Sequence, residues 1–206
     1  MSQTFFHSIF VIFFALFALI RVYFQWRARL VQGQVEYKES RLNTTLRALI
    51  GAIFFLGVLF YIVCPDTLVW ADLLLPQWLQ WLGVVLGGFS LPLLAWTQLA
   101  LGNNFSPTLH VRREHMLVTS GPYQHVRHPM YTALFMSLSA ILLLTRNWIV
   151  GGVPLVGLCV IVLLRIQREE RVMIDKFGDA YREYMKRTGR FLPRVIRRMG
   201  AEPHSQ

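Results

Sequence analysis

The chain has 206 residues, of which 54% are hydrophobic and only 16% charged, with a formal net charge of +10. So apolar a composition with so few charges excludes an ordinary soluble domain and defines an integral membrane protein. The excess of Lys and Arg is explained by its placement around apolar segments, so nucleic acid is not an expected partner.

Five apolar stretches follow in chain order: Phe5 to Phe24, Leu46 to Val63, Trp78 to Leu101, Tyr131 to Thr145 and Trp148 to Leu164. A spanning helix takes about 17 to 25 residues, so the first three are comfortable and the last two short. The last two are predicted to form a tight hairpin that turns at Arg146-Asn147. The first stretch has no basic residue before it and no small-residue cleavage site, so it is expected to be a retained span rather than a signal. The predicted fold is all-α, with five transmembrane helices and a cytoplasmic C-terminal helix. It forms a single membrane domain over residues 1–206, with three N-terminal spans in 1–101, a cofactor-binding and catalytic region in 102–193 and a basic tail in 194–206.

Of the 21 Lys and Arg residues, all but Arg146 fall in segments that this topology puts on one side. Basic loops stay in the cytoplasm, which predicts an external N-terminus and a cytoplasmic C-terminus, most simply in the cytoplasmic membrane. Arg194 to Arg198 are suited to anionic headgroups, at about 1 kcal/mol per residue. Pro92 and Pro154 interrupt apolar helices, as neighbouring helices allow. Gly83, Gly87 and Gly88 put small residues at helical spacing and predict close packing. Cys64 and Cys159 fall at different depths and do not suit a disulfide.

The polar residues that matter lie from His115 to Tyr131 and from Arg165 to Arg171, at the two cytoplasmic ends of the predicted hairpin. Ionisable groups next to lipid are costly and are usually kept for function. His110, His115, His125 and His128 raise the possibility of a metal centre, but Gly121-Pro122 interrupts them and Glu114 is the sole carboxylate among them, so no metal is expected. A transporter is disfavoured because the spans hold almost no ionisable residue at mid-depth.

Gly121-Pro122-Tyr123, Val126-Arg127-His128-Pro129 and Tyr131, then Glu169-Glu170, then the run FGDAYREYMKRTGRFLP at 177–193 resemble the isoprenylcysteine carboxyl methyltransferase family and the related phospholipid methyltransferases. The resemblance covers about the C-terminal half and departs at Ala133, where the family usually has Gly. It implies methyl transfer from S-adenosylmethionine to a lipophilic acceptor at the cytoplasmic membrane boundary. Carried over by position, the cofactor pocket is lined by His115, Met116, Leu117 and Val118, by Tyr123, by His128, Pro129, Met130 and Tyr131, and by Glu169. Arg165 takes the place of a residue that meets the acceptor carboxylate.

These residue types suit such a ligand. Its ammonium calls for an anion such as Glu169, its carboxylate for a donor such as His128 or Arg127, and its ring for an apolar or aromatic slot. A carboxylate acceptor needs positioning by Arg165, whereas a protonated amine needs a proton acceptor such as Glu170. On that ground carboxyl O-methylation of the isoprenylcysteine type is the expected reaction, with phospholipid amine N-methylation or small-thiol S-methylation as alternatives. Competing structural readings are an Arg165–Glu169 surface ion pair, an Arg127 that only snorkels to the headgroups, and Tyr123 and Tyr131 as interfacial belt residues. The polar residues of the tail helix are expected to form a solvated face, with Tyr181 and Tyr184 packed inward.

Overall fold

A computed structural model of the chain describes residues 3–30, 35–37, 41–102, 111–112 and 116–194. It is nearly all helical: α1 (Gln3–Leu30), α2 (Arg41–Val63), α3 (Gln77–Leu101), α4 (Pro129–Thr145), α5 (Val153–Phe177) and α6 (Asp179–Arg187). One small departure from an all-α chain is an antiparallel pair of short strands, β1 (Val35–Tyr37) and β2 (Val111–Arg112). Three helical stretches are long and apolar enough to cross a membrane, namely Gln3–Ala28, Gln77–Leu101 and Trp148–Phe177. A fourth is obtained if α2 and the turn of helix at Pro65–Ala71, bent by 110° from it, count as one span. Helix α4 is apolar but shorter.

The helices form because their apolar residues fall on every side and lipid forces the backbone to satisfy its own hydrogen bonds. What differs from face to face is side-chain shape. Helix α1 turns Phe6, Phe10, Phe13, Phe14 and Phe17 into the core, at helical spacing. Its opposite face leaves Ile12, Leu19 and Val22 about as exposed as an isolated side chain would allow in a helix, at 61%, 66% and 62%. Such a surface is stable only against hydrocarbon.

Helix α4 is the centre of the bundle and packs along α3. Gly83 makes the close approach possible, since a Cβ there would meet Leu143 Cβ at 2.9 Å and the Ala140 carbonyl at 3.3 Å. Gly87 accommodates the ring of Phe13 from α1. Gly88 faces open space, so the small-residue stripe is used at two of its three positions. Pro92 stays within a continuous α3, and Ala133 is fully buried in the core. Buried polar side chains bond helix carbonyls, as Gln80 Nε2 does to Leu144 O at 3.3 Å and Ser137 Oγ to Ala133 O at 2.9 Å.

At the end of the bundle away from the polar clusters, α4 leads into α5 through Arg146, which takes a left-handed conformation (φ 50°), and Asn147. The Asn147 side chain is completely buried. Its oxygen accepts from the backbone of Ile149 and Val150, while its amide donates to Leu68 O at 2.8 Å and Asp72 Oδ1 at 3.0 Å. One amide therefore starts the turn into α5 and fastens the segment after α2 onto it. Within that turn Gly151 lies directly against the backbone of Leu142.

The packing predicts a graded response to added methyl groups. Gly151→Ala forces two backbones apart and Gly83→Ala crowds Leu143; each is expected to cost about 1–3 kcal/mol, with Gly151 the worse. Gly88→Ala should be neutral. Thermal unfolding of the purified variants in one detergent tests the order, and an unfolding temperature for Gly151→Ala equal to that of the parent would contradict the packing.

Candidate active site at the mouth of the last helices

The approach to α4 starts with a helical turn at Gly121–Gln124. Gly121 has φ 60°, and a Cβ there would also press on Trp96 Nε1 at 3.2 Å and Ala100 Cβ at 3.3 Å. Glycine alone meets both demands. Pro122 and Tyr123 are then buried, and the Tyr184 hydroxyl of α6 donates to Tyr123 O at 2.6 Å. Burial pushes the Tyr184 phenol up to about 12 and raises those of Tyr123 and Tyr181 as well, so all three remain neutral donors.

Residues 126–128 run beside a strap formed by residues 188–191, which follow α6. Val126 and Gly189 form a parallel bridge. Arg127 N donates to Gly189 O at 2.8 Å, His128 N to Arg190 O at 3.0 Å, and Gly189 N returns a bond to His125 O at 3.3 Å. Thr132 Oγ1 secures the far end, donating to Phe191 O at 2.8 Å. The Phe191 ring lies 6.2 Å from that of His128 and edge-on to Phe135 at 6.3 Å.

Under the strap is Glu170, 5% exposed, with three cationic or potentially cationic partners. Arg127 Nε donates to Oε1 at 3.1 Å, Arg190 donates through Nε to Oε1 at 3.2 Å and through Nη2 to Oε2 at 2.5 Å, and His128 Nε2 stands 3.5 Å from Oε1. Arg127 Nη1 continues to the carbonyls of Met185 and Thr188 at 3.0 and 2.5 Å. A buried carboxylate is tolerated when its charge is matched and its lone pairs are used, and both conditions hold here.

One residue earlier on α5, Glu169 Oε1 accepts from the Tyr131 hydroxyl at 2.9 Å and pairs with Arg165 Nη2 at 2.8 Å. His128 Nδ1 lies 3.9 Å from the other Glu169 oxygen. Two nitrogens in this cluster, His128 Nε2 and Arg165 Nε, are buried without a hydrogen bond among the described residues.

Most of the side chains singled out in the sequence converge here: Arg127, His128, Tyr131, Arg165, Glu169 and Glu170. Pro129 opens α4, and Met130 packs on its other side, against Phe24 and Ala28 of α1. Tyr123 is bound to α6. Met116 is exposed, Leu117 and Val118 are half-buried, and His115 and His110 lie outside the described residues, as do residues 195–198 of the basic tail. His125 pairs with Gln124 at the surface. Arg127 is held by three bonds within the protein rather than snorkelling to lipid. Arg165 and Glu169 do form the ion pair that their spacing allows, but in a largely buried setting, with 20% and 15% side-chain exposure. Three donors around Glu170 make it a counter-ion, a position that does not suit a proton acceptor.

Sequence reasoning placed Arg190 on a solvated face, whereas it is the bidentate partner of Glu170. Thr188 and Phe191 were passed over as well. Their one sequence signal was the RFLP end of the tail motif, which marks a segment but not its partners. The rest of the tail follows expectation: Tyr181 and Tyr184 face inward, and Arg182, Lys186 and Arg187 pair at the surface with Asp179 and Glu183.

Multi-span helices with an ion-paired site at the mouth of the last two define a membrane-embedded enzyme class rather than a soluble one. The family model "Isoprenylcysteine carboxyl methyltransferase (ICMT) family" matches residues 81–175. A protein-S-isoprenylcysteine O-methyltransferase from Xenopus laevis is 32% identical over 141 residues, covering 67% of this chain and 48% of that protein. A methanethiol S-methyltransferase from Pseudomonas deceptionensis is 32% identical over 80 residues, covering 39% and 29%. The solved structure of the eukaryotic intramembrane Ras methyltransferase ICMT superposes with a TM-score of 0.51 at 22% identity, covering 76% of this chain and 54% of that one. It shares the fold. The chain belongs to the isoprenylcysteine carboxyl methyltransferase family, and it spans about half the length, or less, of the curated relatives it matches.

The Glu170 cluster predicts a defined local failure. Glu170→Gln leaves Arg127 buried without its counter-ion, a loss of about 3–5 kcal/mol for a broken buried pair. The strap is then expected to loosen before the bundle does. Hydrogen exchange should rise at residues 188–191 and at the amides of Arg127 and His128, while α3 keeps its protection. Unchanged exchange in the strap would show that Glu170 does not hold it.

Proposed function

We propose that the chain is an S-adenosylmethionine-dependent methyltransferase that works at the cytoplasmic membrane boundary on a lipophilic carboxylate, in the manner of isoprenylcysteine O-methylation. The observation that carries this reading is the Tyr131–Glu169–Arg165 chain, with Arg165 Nε buried and unpartnered where the apolar part of α5 ends. S-adenosylmethionine supplies an electrophilic methyl group. The residues present fit its amino-acid end: Glu169 faces its ammonium, and His128, whose Nε2 lacks a bond, faces its carboxylate. Tyr131, Phe191 and the half-buried Leu117 and Val118 offer the apolar slot.

The work left to this chain is alignment and exclusion of water, worth about 7–11 kcal/mol where geometry is good. Glu169 fixes the Arg165 guanidinium, leaving Nε to receive an acceptor oxygen whose lipid tail stays in the bilayer. The strap, with Phe191 over His128, shields the opposite side. A carboxylate acceptor is already a nucleophile and needs no base, which agrees with a Glu170 occupied by cations. The methanethiol-methylating relative favours a small thiol as the second reading, in which Arg165 would have no acceptor to hold.

In this reading the protein is a multi-pass membrane protein with five spans, α2 and α4 included. Its N-terminus is external, and its C-terminus and active site are cytoplasmic.

Two measurements test the proposal. Arg165→Ala should leave S-adenosylmethionine binding within about twofold of the parent and cut turnover on a prenylcysteine analogue about ten- to a hundredfold, the loss of one charged hydrogen bond. Arg165→Lys should recover part of the turnover. Full turnover with alanine on a carboxylate acceptor would end the carboxylate reading, and turnover confined to thiols would establish the second. Separately, a reporter at Gln206 should read cytoplasmic and one near Met1 external; both on one side would leave an even number of spans and exclude this topology.

A further inference from the structure

The N-terminal half of the chain contains one charge that neither the fold nor the proposed reaction accounts for. Arg21 lies on the face of α1 that also carries the buried Phe17, Phe24 and Ala28, and it is itself partly buried. It has no hydrogen-bond or ion-pair partner among the described residues. An enclosed guanidinium beside lipid is costly unless something anionic meets it.

Helix α1 runs alongside α3. Phe6 lies beside Trp81, Phe13 beside Gly87, and Phe24 in one cluster with Leu101. This register brings Arg21 level with Thr97 and Gln98, both essentially inaccessible at 0% and 1% exposure. The Thr97 hydroxyl and the Gln98 amide both donate to Leu94 O, at 2.8 and 3.2 Å. Gln98 Oε1 remains buried with nothing donating to it. A cation without an anion and an acceptor without a donor thus face the same crevice, and they do not bond each other.

The crevice is walled on its cytoplasmic side by Phe24, Leu101 and Met130. Met130 and Tyr131 diverge around α4, so the crevice lies across that helix from Glu169 and Arg165. On the outer flank of α1, Tyr23 and Trp26 are half exposed, at 51% and 58%. Such residues mark the headgroup level of a leaflet. A ligand here meets an apolar wall, a guanidinium suited to a phosphate and an acceptor suited to an N–H or O–H donor.

We propose that Arg21 and Gln98 form a binding site for one phospholipid of the cytoplasmic leaflet, with its phosphate on Arg21 and a hydrogen-bond-donating headgroup, such as ethanolamine, on Gln98 Oε1. The site is separate from the methyl-transfer site and does not depend on the acceptor. It selects against choline, which has no proton to donate.

Native mass spectrometry of the full detergent-purified chain, titrated with phosphatidylethanolamine or phosphatidylcholine, tests this. The parent should retain one phosphatidylethanolamine in preference to phosphatidylcholine. Arg21→Ala should weaken that retention at least about tenfold, with S-adenosylmethionine binding unchanged. Gln98→Leu should keep a bound lipid but erase the preference. Gln98→Glu should fold well and expel the lipid, because the new carboxylate pairs with Arg21. Equal lipid retention by the parent and Arg21→Ala overturns the proposal. So does a loss of S-adenosylmethionine binding in Arg21→Ala with lipid retention intact, which would assign the crevice to the methyl donor. Should Arg21→Ala not fold, the two Gln98 variants decide: a parent-like preference in both overturns the site.

Discussion

The carboxylate of Glu170 is the fixed point around which the polar end of this molecule is organised. It belongs to α5, yet its partners come from the loop before α4 (Arg127, His128) and from the strap after α6 (Arg190). Three segments far apart in sequence are thereby drawn to one buried atom pair. Coulomb energy grows as the dielectric falls, so the low-dielectric setting that makes the charge costly also makes its matched partners strong. Removing any one member leaves the others uncompensated, which ties the strap, the loop and α5 to a common fate.

The two ends of the bundle use different chemistry for the same purpose. At the polar end, charges join segments and face a site. At the other end a neutral amide, Asn147, joins α4, α5 and the segment after α2 with hydrogen bonds alone. Between them contact is made by shape, with glycine backbones of α3 and of the turn before α5 against α4 and aromatic rings of α1. Lipid offers no hydrophobic gain for helix association, so close contact and internal hydrogen bonds carry the load. Helix α4 touches every part of this scheme, although it is among the shorter helices.

The apolar segments were legible because a membrane demands uninterrupted apolar length, and length is read directly from sequence. The packing glycines were legible in part: Gly83 and Gly87 meet other helices and Gly88 does not, since spacing gives a face but not the neighbour's position. Glu169 and Glu170 stood out as an acidic pair, yet adjacent residues on a helix point about 100° apart and acquire different partners. Arg190 could not be found in this way. It lies in irregular chain, where no periodicity connects it to a residue on another element. Arg21 was hidden for the opposite reason, counted among the loop cations that set topology while its helix carried it inside. Asn147 was read as part of a turn, and its grip on Leu68 and Asp72 depends on contacts that no local pattern encodes.

The strap at residues 188–191 follows every helix in the chain. As the protein is made, all six helices can leave the ribosome and pack while Arg127, His128 and Glu170 still lack Arg190 and the carbonyls of Thr188 and Gly189. The membrane domain therefore reaches its final shape before the site is closed. Chemical competence is the last property the growing chain acquires, and it is acquired on the water side, after insertion into the bilayer is complete.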